Sequence, residues 1–449
     1  MRGISVAGCG VVAFFGFIPY LFYFQVTLNQ PKLGIPLYSL LPVMVLAARM
    51  FNRAPRLASA DQTGGLLDIF VGYLVVFFVG FVVVNGFLND VPGMAKSAFF
   101  FLAPLSVYYW ASRIATIREL RLTVFVLSLS ALGVAANWFY QIFSVRFLGA
   151  TTNFQQKAFE YLMINTGNDL ESLTQIIGTQ YRAPGLVESH IHATATCVSI
   201  GVYAIASFYL AANRKSLLFL AGALISVQFL GGARLASLGS IITFGCYLLL
   251  LARSRLSVFE TLFGMAIIPA VMTLGLVLYG AWSSAFVDTL IEFYGPFIPG
   301  LGASQDAADA GVFRELARSE TARILTGFFG NRLVLVTGVG PTALLHGREL
   351  ASEDFFIMHM LSFYGLFGTA FFVFVVSRTM AHSRQVIGRL DPNAAALLCF
   401  AICVLSIFSV SILHSGVLHR RALWPIFILA LGLARRFYVT RRFIDETAG

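Results

Sequence analysis

SEDFFIMHMLSFYGLFGTAFFVFVVS, residues 352–377, sets the carboxylate pair Glu353-Asp354 directly against an apolar run over 355–377. Roughly 20 apolar residues are what an α-helix needs to cross the hydrocarbon core of a bilayer. Carboxylates at the mouth of such a segment are costly unless solvated or used, so chemistry is expected at this junction. The pair closes the one long polar interruption in the second half of the chain, which starts at Trp282. That stretch passes through the acidic patch Gln305–Asp309 and then turns basic and amphipathic over 311–329. Its apolar positions Phe313, Leu316, Ala317, Ile324, Leu325 and Phe328 suit a helix lying on a membrane surface.

Outward from this junction the apolar run repeats. Of 449 residues, 58% are hydrophobic and 12% charged, with a mean hydropathy of +0.81; soluble domains carry about twice that charge fraction. Twelve apolar segments can be marked, at 4–24, 33–50, 66–88, 93–112, 122–144, 191–211, 216–231, 235–252, 258–281, 355–377, 394–413 and 421–438. The period-two alternation of a β-barrel is absent. The first segment is longer than a signal-peptide core and lacks a small-x-small cleavage site before Gln25, so it reads as a membrane helix.

Arginines and lysines in the short connections set the orientation. Arg49, Arg53 and Arg56, then Arg113, Arg118 and Arg121, fall in alternate turns. Arg214 and Lys215, Arg253 and Arg255, and Arg378, Arg384 and Arg389 continue the pattern. The tail adds Arg435, Arg436, Arg441 and Arg442. The sequence therefore predicts an all-α polytopic membrane protein of about twelve transmembrane helices, one membrane domain over 1–449, with both termini cytoplasmic. Two long loops, 145–190 and 282–354, face outward, with short helices predicted at Gln155–Ile164 and Ser172–Ile177. The net charge of +10 sits in inter-helix turns, which argues against nucleic acid as a partner. The five cysteines lie inside apolar runs, where thiols pack; Cys399 and Cys403, one turn apart, have no His or acid to complete a metal set.

Arginines on the outer face run against the positive-inside bias and define a candidate cationic basin. Arg234 lies in GGARLASLGS, Arg314, Arg318 and Arg323 on the amphipathic stretch, Arg420 and Arg421 in a short outer turn, and Arg182 at the end of the first outer loop. Snorkelling to headgroups, or pairing with Glu188, Glu315 or Glu320, is the plain reading. The sharper one is a cradle for a lipid diphosphate, whose oxygens match guanidinium forks. At the junction itself, Glu353 and Asp354 are read both as a helix N-cap and as a general base, since partial burial and mutual repulsion raise one carboxyl pKa. His346 and His359 are reserve bases. GVGP at 338–341 is a weak phosphate-loop signal and more simply a turn.

Four stretches together resemble a family. GGARLASLGSIITF (231–244) resembles the helix start of O-antigen ligases and Wzy-type O-antigen polymerases. ARILTGFFGNRLVLVTGVGPT (322–342) is similar to their loop segment, in which an Arg precedes an apolar stretch and a Gly-x-Gly turn. SEDFFIMHMLSFYGLFG (352–368) resembles the closing element, with its aromatic-Gly-x-x-Gly run. RAPGLVESHIHATA (182–195), which holds His190, resembles the entry to the central helix. The resemblance covers roughly 181–370.

It implies a GT-C-like glycosyltransferase of the bacterial inner membrane, using undecaprenyl-diphosphate-linked glycans on the outer leaflet without metal or other cofactor. Arg234 and Arg323 would hold the diphosphate. Membrane lipids, and the chain-length regulator and flippase of the same pathway, are the partners it implies. Ligases usually place His-Asn before the final loop helix; Glu353-Asp354 stands there instead, which tilts the reading towards a polymerase of an O-antigen or exopolysaccharide. An O-antigen ligase, transferring polysaccharide to lipid A–core, and a lipid-linked sugar flippase remain the alternatives.

Overall fold

A computed structural model describes residues 6–51, 62–86, 91–148, 151–166, 185–187, 191–212, 216–230, 336, 338, 356–387, 390–410 and 421–447. Among these the regular structure is helical, with no strand. Helix occurs at ten of the twelve apolar segments; those at 235–252 and 258–281 lie outside the described residues.

The first segment is helical but broken. Helix α1 (Val6–Phe17) gives way to a 3-10 turn at Ile18–Tyr20 and then to α2 (Leu21–Thr27). Pro19 in the turn has no N–H for the helical ladder, which explains the change of pitch. Then follow α3 (Gly34–Phe51) and α4 (Gln62–Gly86). The segment expected at 93–112 is three pieces: α5 (Val91–Leu102), α6 (Leu105–Tyr109), which has Pro104 at its start, and a π turn over Trp110–Ile114.

Helix α7 (Ile117–Phe147) begins five residues before the apolar run. Thr116 and Glu119 explain this through a capping box: Thr116 Oγ1 accepts from the Glu119 N–H at 3.2 Å, and Glu119 Oε2 accepts from the Thr116 N–H at 2.8 Å. Thr152 and Gln155 repeat the arrangement ahead of α8 (Asn153–Thr166), where a short helix was expected. Its companion at 172–177 is outside the described residues. Helices α9 (Ile191–Ala212) and α10 (Ser216–Leu230) form an antiparallel pair. Helix α11 covers Phe356–Val386 and is interrupted at Gly365. Asp391 and Pro392 start α12 (Pro392–Val410), and α13 (Trp424–Thr447) closes the chain.

Among the described residues, four spans are long and apolar enough to cross a membrane: Val6–Thr27, Gly65–Val83, Ile117–Val145 and Phe363–Ser383. The surface agrees with that reading. Val43, Leu46 and Met50 of α3, Ile69, Val76, Val79 and Val83 of α4, and Phe125 and Leu129 of α7 are all exposed. Apolar side chains turned outward in such numbers face lipid. In contrast, Ala422–Arg435 is buried on every side, which makes α13 the axis of the bundle.

Two helices give the bundle its ends. Tyr38 of α3 donates its hydroxyl to the Arg421 carbonyl at the start of α13. At 1.5 Å per residue, Arg49 lies about 17 Å further along α3, where it meets Tyr109, and Arg435 lies about 17 Å along α13 from its first residue, Trp424, where it meets Asp68. One end therefore gathers Arg49, Asp68, Arg113, Arg435 and Arg436, and the opposite end carries Arg421.

Candidate functional site

The break in α11 is the feature that organises the Arg421 end. Gly365 has φ +67° and ψ −179°, a conformation essentially reserved for glycine. Val336 and Gly338 lie against it. A Cβ built on Gly365 would sit 2.5 Å from the Val336 carbonyl carbon and 2.6 Å from the Gly338 nitrogen. Gly338 is likewise left-handed at φ +73°, and its Cβ would fall 2.5 Å from the Gly365 nitrogen. The Gly-x-Gly turn and the aromatic-Gly-x-x-Gly run, separate motifs in the sequence, thus interlock through their backbones. Inside an apolar helix this is also what the break requires, because backbone groups released from the ladder need protein around them.

Aromatic contacts fix the level of the break. Phe363 packs at 5.6 Å on Phe101 and at 6.1 Å on Phe78. Phe101 packs at 5.7 Å on Trp424, whose indole N–H donates to the Phe101 carbonyl at 3.0 Å. Trp424 is three residues from Arg421, so the interlocked turn and Arg421 share one end of the bundle.

The entry to α9 belongs to the same end. Gly185, Leu186 and Val187 are buried. The Gly185 N–H donates to Gln141 Oε1 at 3.1 Å, near the far end of α7, and Gln141 Nε2 donates to Asn137 at 2.8 Å. Thr194 Oγ1 accepts from the Val187 N–H at 3.3 Å. Near the end of α10, Gln228 donates its amide to the Ala195 carbonyl at 2.8 Å and to Ser199 Oγ at 2.6 Å. This ties the last turn of α10 to the first turns of α9.

Among the candidate residues, Arg421 has a described side chain. It is exposed, with its guanidinium carbon 4.4 Å above the Phe100 ring centroid, and no carboxylate among the described residues pairs with it. Nearby, α8 packs on α2 through Phe22, Val26, Ala158 and Tyr161. Burial pushes the Tyr161 phenol above its ordinary range, against the pull of the Arg421 guanidinium. His359 lies in the first turn of α11, in its backbone, before the break.

Asp354, Glu353, His346, Arg234, Arg323, Arg182, His190, Arg314, Arg318 and Arg420 lie outside the described residues. Several have described neighbours. Arg182 precedes Gly185 by three residues, His190 immediately precedes α9, and Arg234 follows α10 by four. His346 follows Gly338, Glu353 and Asp354 precede α11, and Arg420 adjoins Arg421. Those neighbours share the Arg421 end.

The polar cluster at the opposite end went unread in the sequence. Asp68 Oδ1 accepts from the Tyr108 hydroxyl at 2.7 Å. Its Oδ2 accepts from Arg435 Nε at 3.1 Å and Nη2 at 2.9 Å, and from Arg113 Nη2 at 3.4 Å. The signal available was Asp68 itself, a carboxylate inside an apolar run.

Compared with known protein families and with curated proteins, the chain matches none at a significant level.

Proposed function

We propose that this chain is a glycosyltransferase of the bacterial inner membrane that polymerises undecaprenyl-diphosphate-linked oligosaccharide repeat units of an O-antigen or exopolysaccharide. The observation that carries the reading is the gathering, at one end of the bundle, of chain points that bracket the candidate residues: Gly185, the end of α10, Gly338, the start of α11 and Arg421. A chain spans at most about 3.5 Å per residue. Arg182, Arg234, Glu353, Asp354 and Arg420 each have their nearest described neighbour in the sequence at that end, between one and four residues away. The opposite end holds Arg49, Arg113, Arg435 and Arg436, and the positive-inside rule assigns it to the cytoplasm. The candidate site then faces the periplasm, with twelve spans and loops 145–190 and 282–354 completing the topology.

In the chemistry, an acceptor sugar hydroxyl attacks the anomeric carbon of the lipid-linked donor. A new glycosidic C–O bond forms, the bond to the diphosphate breaks, and lipid diphosphate leaves with the electron pair. Arg234, Arg323 and Arg421 stabilise the charge on the leaving diphosphate, with Arg182, His190, Arg314, Arg318 and Arg420 around it. Asp354 takes the hydroxyl proton and Glu353 caps the helix; His346 and His359 are the reserve bases.

The break at Gly365 favours one second reading, since discontinuous helices mark transporters, and a lipid-linked sugar flippase would use the same end. An O-antigen ligase would share the polymerase chemistry with a different acceptor. The lipid-linked species that accumulates in cells lacking the protein separates these. Single repeat units on the outer leaflet support the polymerase. Long chains on carrier indicate a ligase, repeat units held on the inner leaflet a flippase, and unchanged polymer refutes all three.

A further inference from the structure

We propose that the Arg49–Tyr109–Arg113 face, at the end of the bundle remote from the candidate site, binds the phosphate of an anionic lipid headgroup. Two guanidiniums from different elements meet one ring. The Arg49 guanidinium carbon, from α3, lies 5.6 Å from the Tyr109 ring centroid, and that of Arg113, from the π turn, lies 5.9 Å from it. Each is attracted to the ring, but the two cations repel each other across it. Both are exposed.

Two described carboxylates at this end, Asp68 and Glu119, are already engaged. Asp68 Oδ2, which Arg113 reaches at 3.4 Å, takes two closer hydrogen bonds from Arg435, and Oδ1 takes the Tyr108 hydroxyl. Glu119 is buried and held in the capping box with Thr116. Arg49 has no carboxylate partner among the described residues. Arg435, 5% exposed, keeps a buried Nη1 without a hydrogen-bond partner among the described residues. Arg436 is turned to the backbone, donating to the Ala115 carbonyl at 2.6 Å and to that of Ala111 at 3.4 Å. Among the described residues, Arg113 thus reaches one carboxylate, Asp68, which Arg435 already takes up, and Arg49 reaches none.

Phosphate supplies what is missing, because its oxygens accept from guanidinium forks in pairs. The surroundings select a lipid as its carrier. Leu46 and Met50, beside Arg49 on α3, are 58% and 77% exposed and give acyl chains an apolar surface next to the charges. The site is separate from the proposed catalytic end and does not rest on that reading.

The test measures binding of phosphatidylglycerol, phosphatidylcholine and inorganic phosphate to the purified full-length protein in mild detergent, by native mass spectrometry and titration. Wild type is expected to retain phosphatidylglycerol over phosphatidylcholine, and R49Q and R113Q to weaken that retention by about fivefold for each arginine removed. R378Q, an exposed arginine on α11, should leave it unchanged. R113Q also loses a contact to Asp68 and can disturb the fold; R49Q removes no hydrogen bond to the protein, so its result stands by itself. R49Q binding phosphatidylglycerol as tightly as wild type overturns the site. Inorganic phosphate displacing the lipid at equal concentration overturns the lipid assignment in favour of a soluble anion.

Discussion

Gly365→Ala tests the interlock of the two glycine motifs. The conformation at φ +67°, ψ −179° is one that an L side chain adopts only under strain, at about 1–3 kcal/mol. The added methyl would lie 2.5 Å from the Val336 carbonyl carbon and 2.6 Å from the Gly338 nitrogen, against roughly 3.5–4 Å for an ordinary carbon contact. Its neighbours there are backbone and cannot swing aside as a side chain could. The turn must move by about 1 Å, and overpacking of that size costs a further 1–3 kcal/mol or so. The expected loss is about 4 kcal/mol in all, a large share of a typical folding free energy of about 5–15 kcal/mol.

Gly72→Ala is the control, since a Cβ there meets nothing within 4 Å and α4 should gain slightly from the better helix former. Thermal unfolding of the purified protein should place Gly365→Ala below Gly72→Ala by on the order of 5 °C. Once the turn is displaced, Gly338→Ala should cost less in the Gly365→Ala background than alone, because the two strains are relieved by one movement. Equal melting of Gly365→Ala and wild type, or strictly additive losses in the double variant, would refute the interlock.

Other outcomes follow from single contacts. Asp68→Asn leaves the buried Arg435 guanidinium without its counter-charge; because the Asp68 side chain is 30% exposed, the loss should fall at or below the low end of the roughly 3–5 kcal/mol for a broken buried pair, read as a lowered Tm that Arg435→Met does not share. Arg421→Ala should cost about 0.5–1 kcal/mol of stability, the worth of an exposed cation–π contact, but most of the turnover; unchanged turnover would reduce Arg421 to a surface anchor. On the proposed mechanism Asp354→Asn removes the base and leaves capping ability, so elongation of lipid-linked repeats should collapse, whereas Glu353→Gln should be milder. Wild-type rates in both would move the base to His346 or His359. Cysteine placed at Ser304 in a cysteine-free background should react with an impermeant thiol reagent before the inner membrane is broken, and labelling only afterwards would invert the topology.

Where the chain's apolar runs are long, helix positions were legible from residue type alone: 33–50 becomes Gly34–Phe51 and 191–211 becomes Ile191–Ala212. Helix ends were less so, because polar residues can belong to a helix. Arg118, Glu119 and Arg121 hid the first turn of α7, although Thr116 and Glu119 spell its cap. Breaks were hidden for the opposite reason: Pro104 and Gly365 sit in uniformly apolar runs, where hydropathy carries no record of pitch. Of the candidate site, the motifs around Gly338 and Gly365 were visible, but their meeting depends on tertiary contact. The Asp68–Arg435 pair, 367 residues apart, has no local signature beyond a carboxylate among apolar neighbours.

The central claim is tested most directly by giving the purified protein, reconstituted in lipid nanodiscs, a single kind of undecaprenyl-diphosphate-linked repeat unit and resolving the products by length. The account predicts a ladder of lipid-linked oligomers with release of undecaprenyl diphosphate, and no ladder from the Asp354→Asn, Glu353→Gln double variant. A substrate that stays one repeat long with wild-type protein, or a ladder that persists in the double variant, would contradict it.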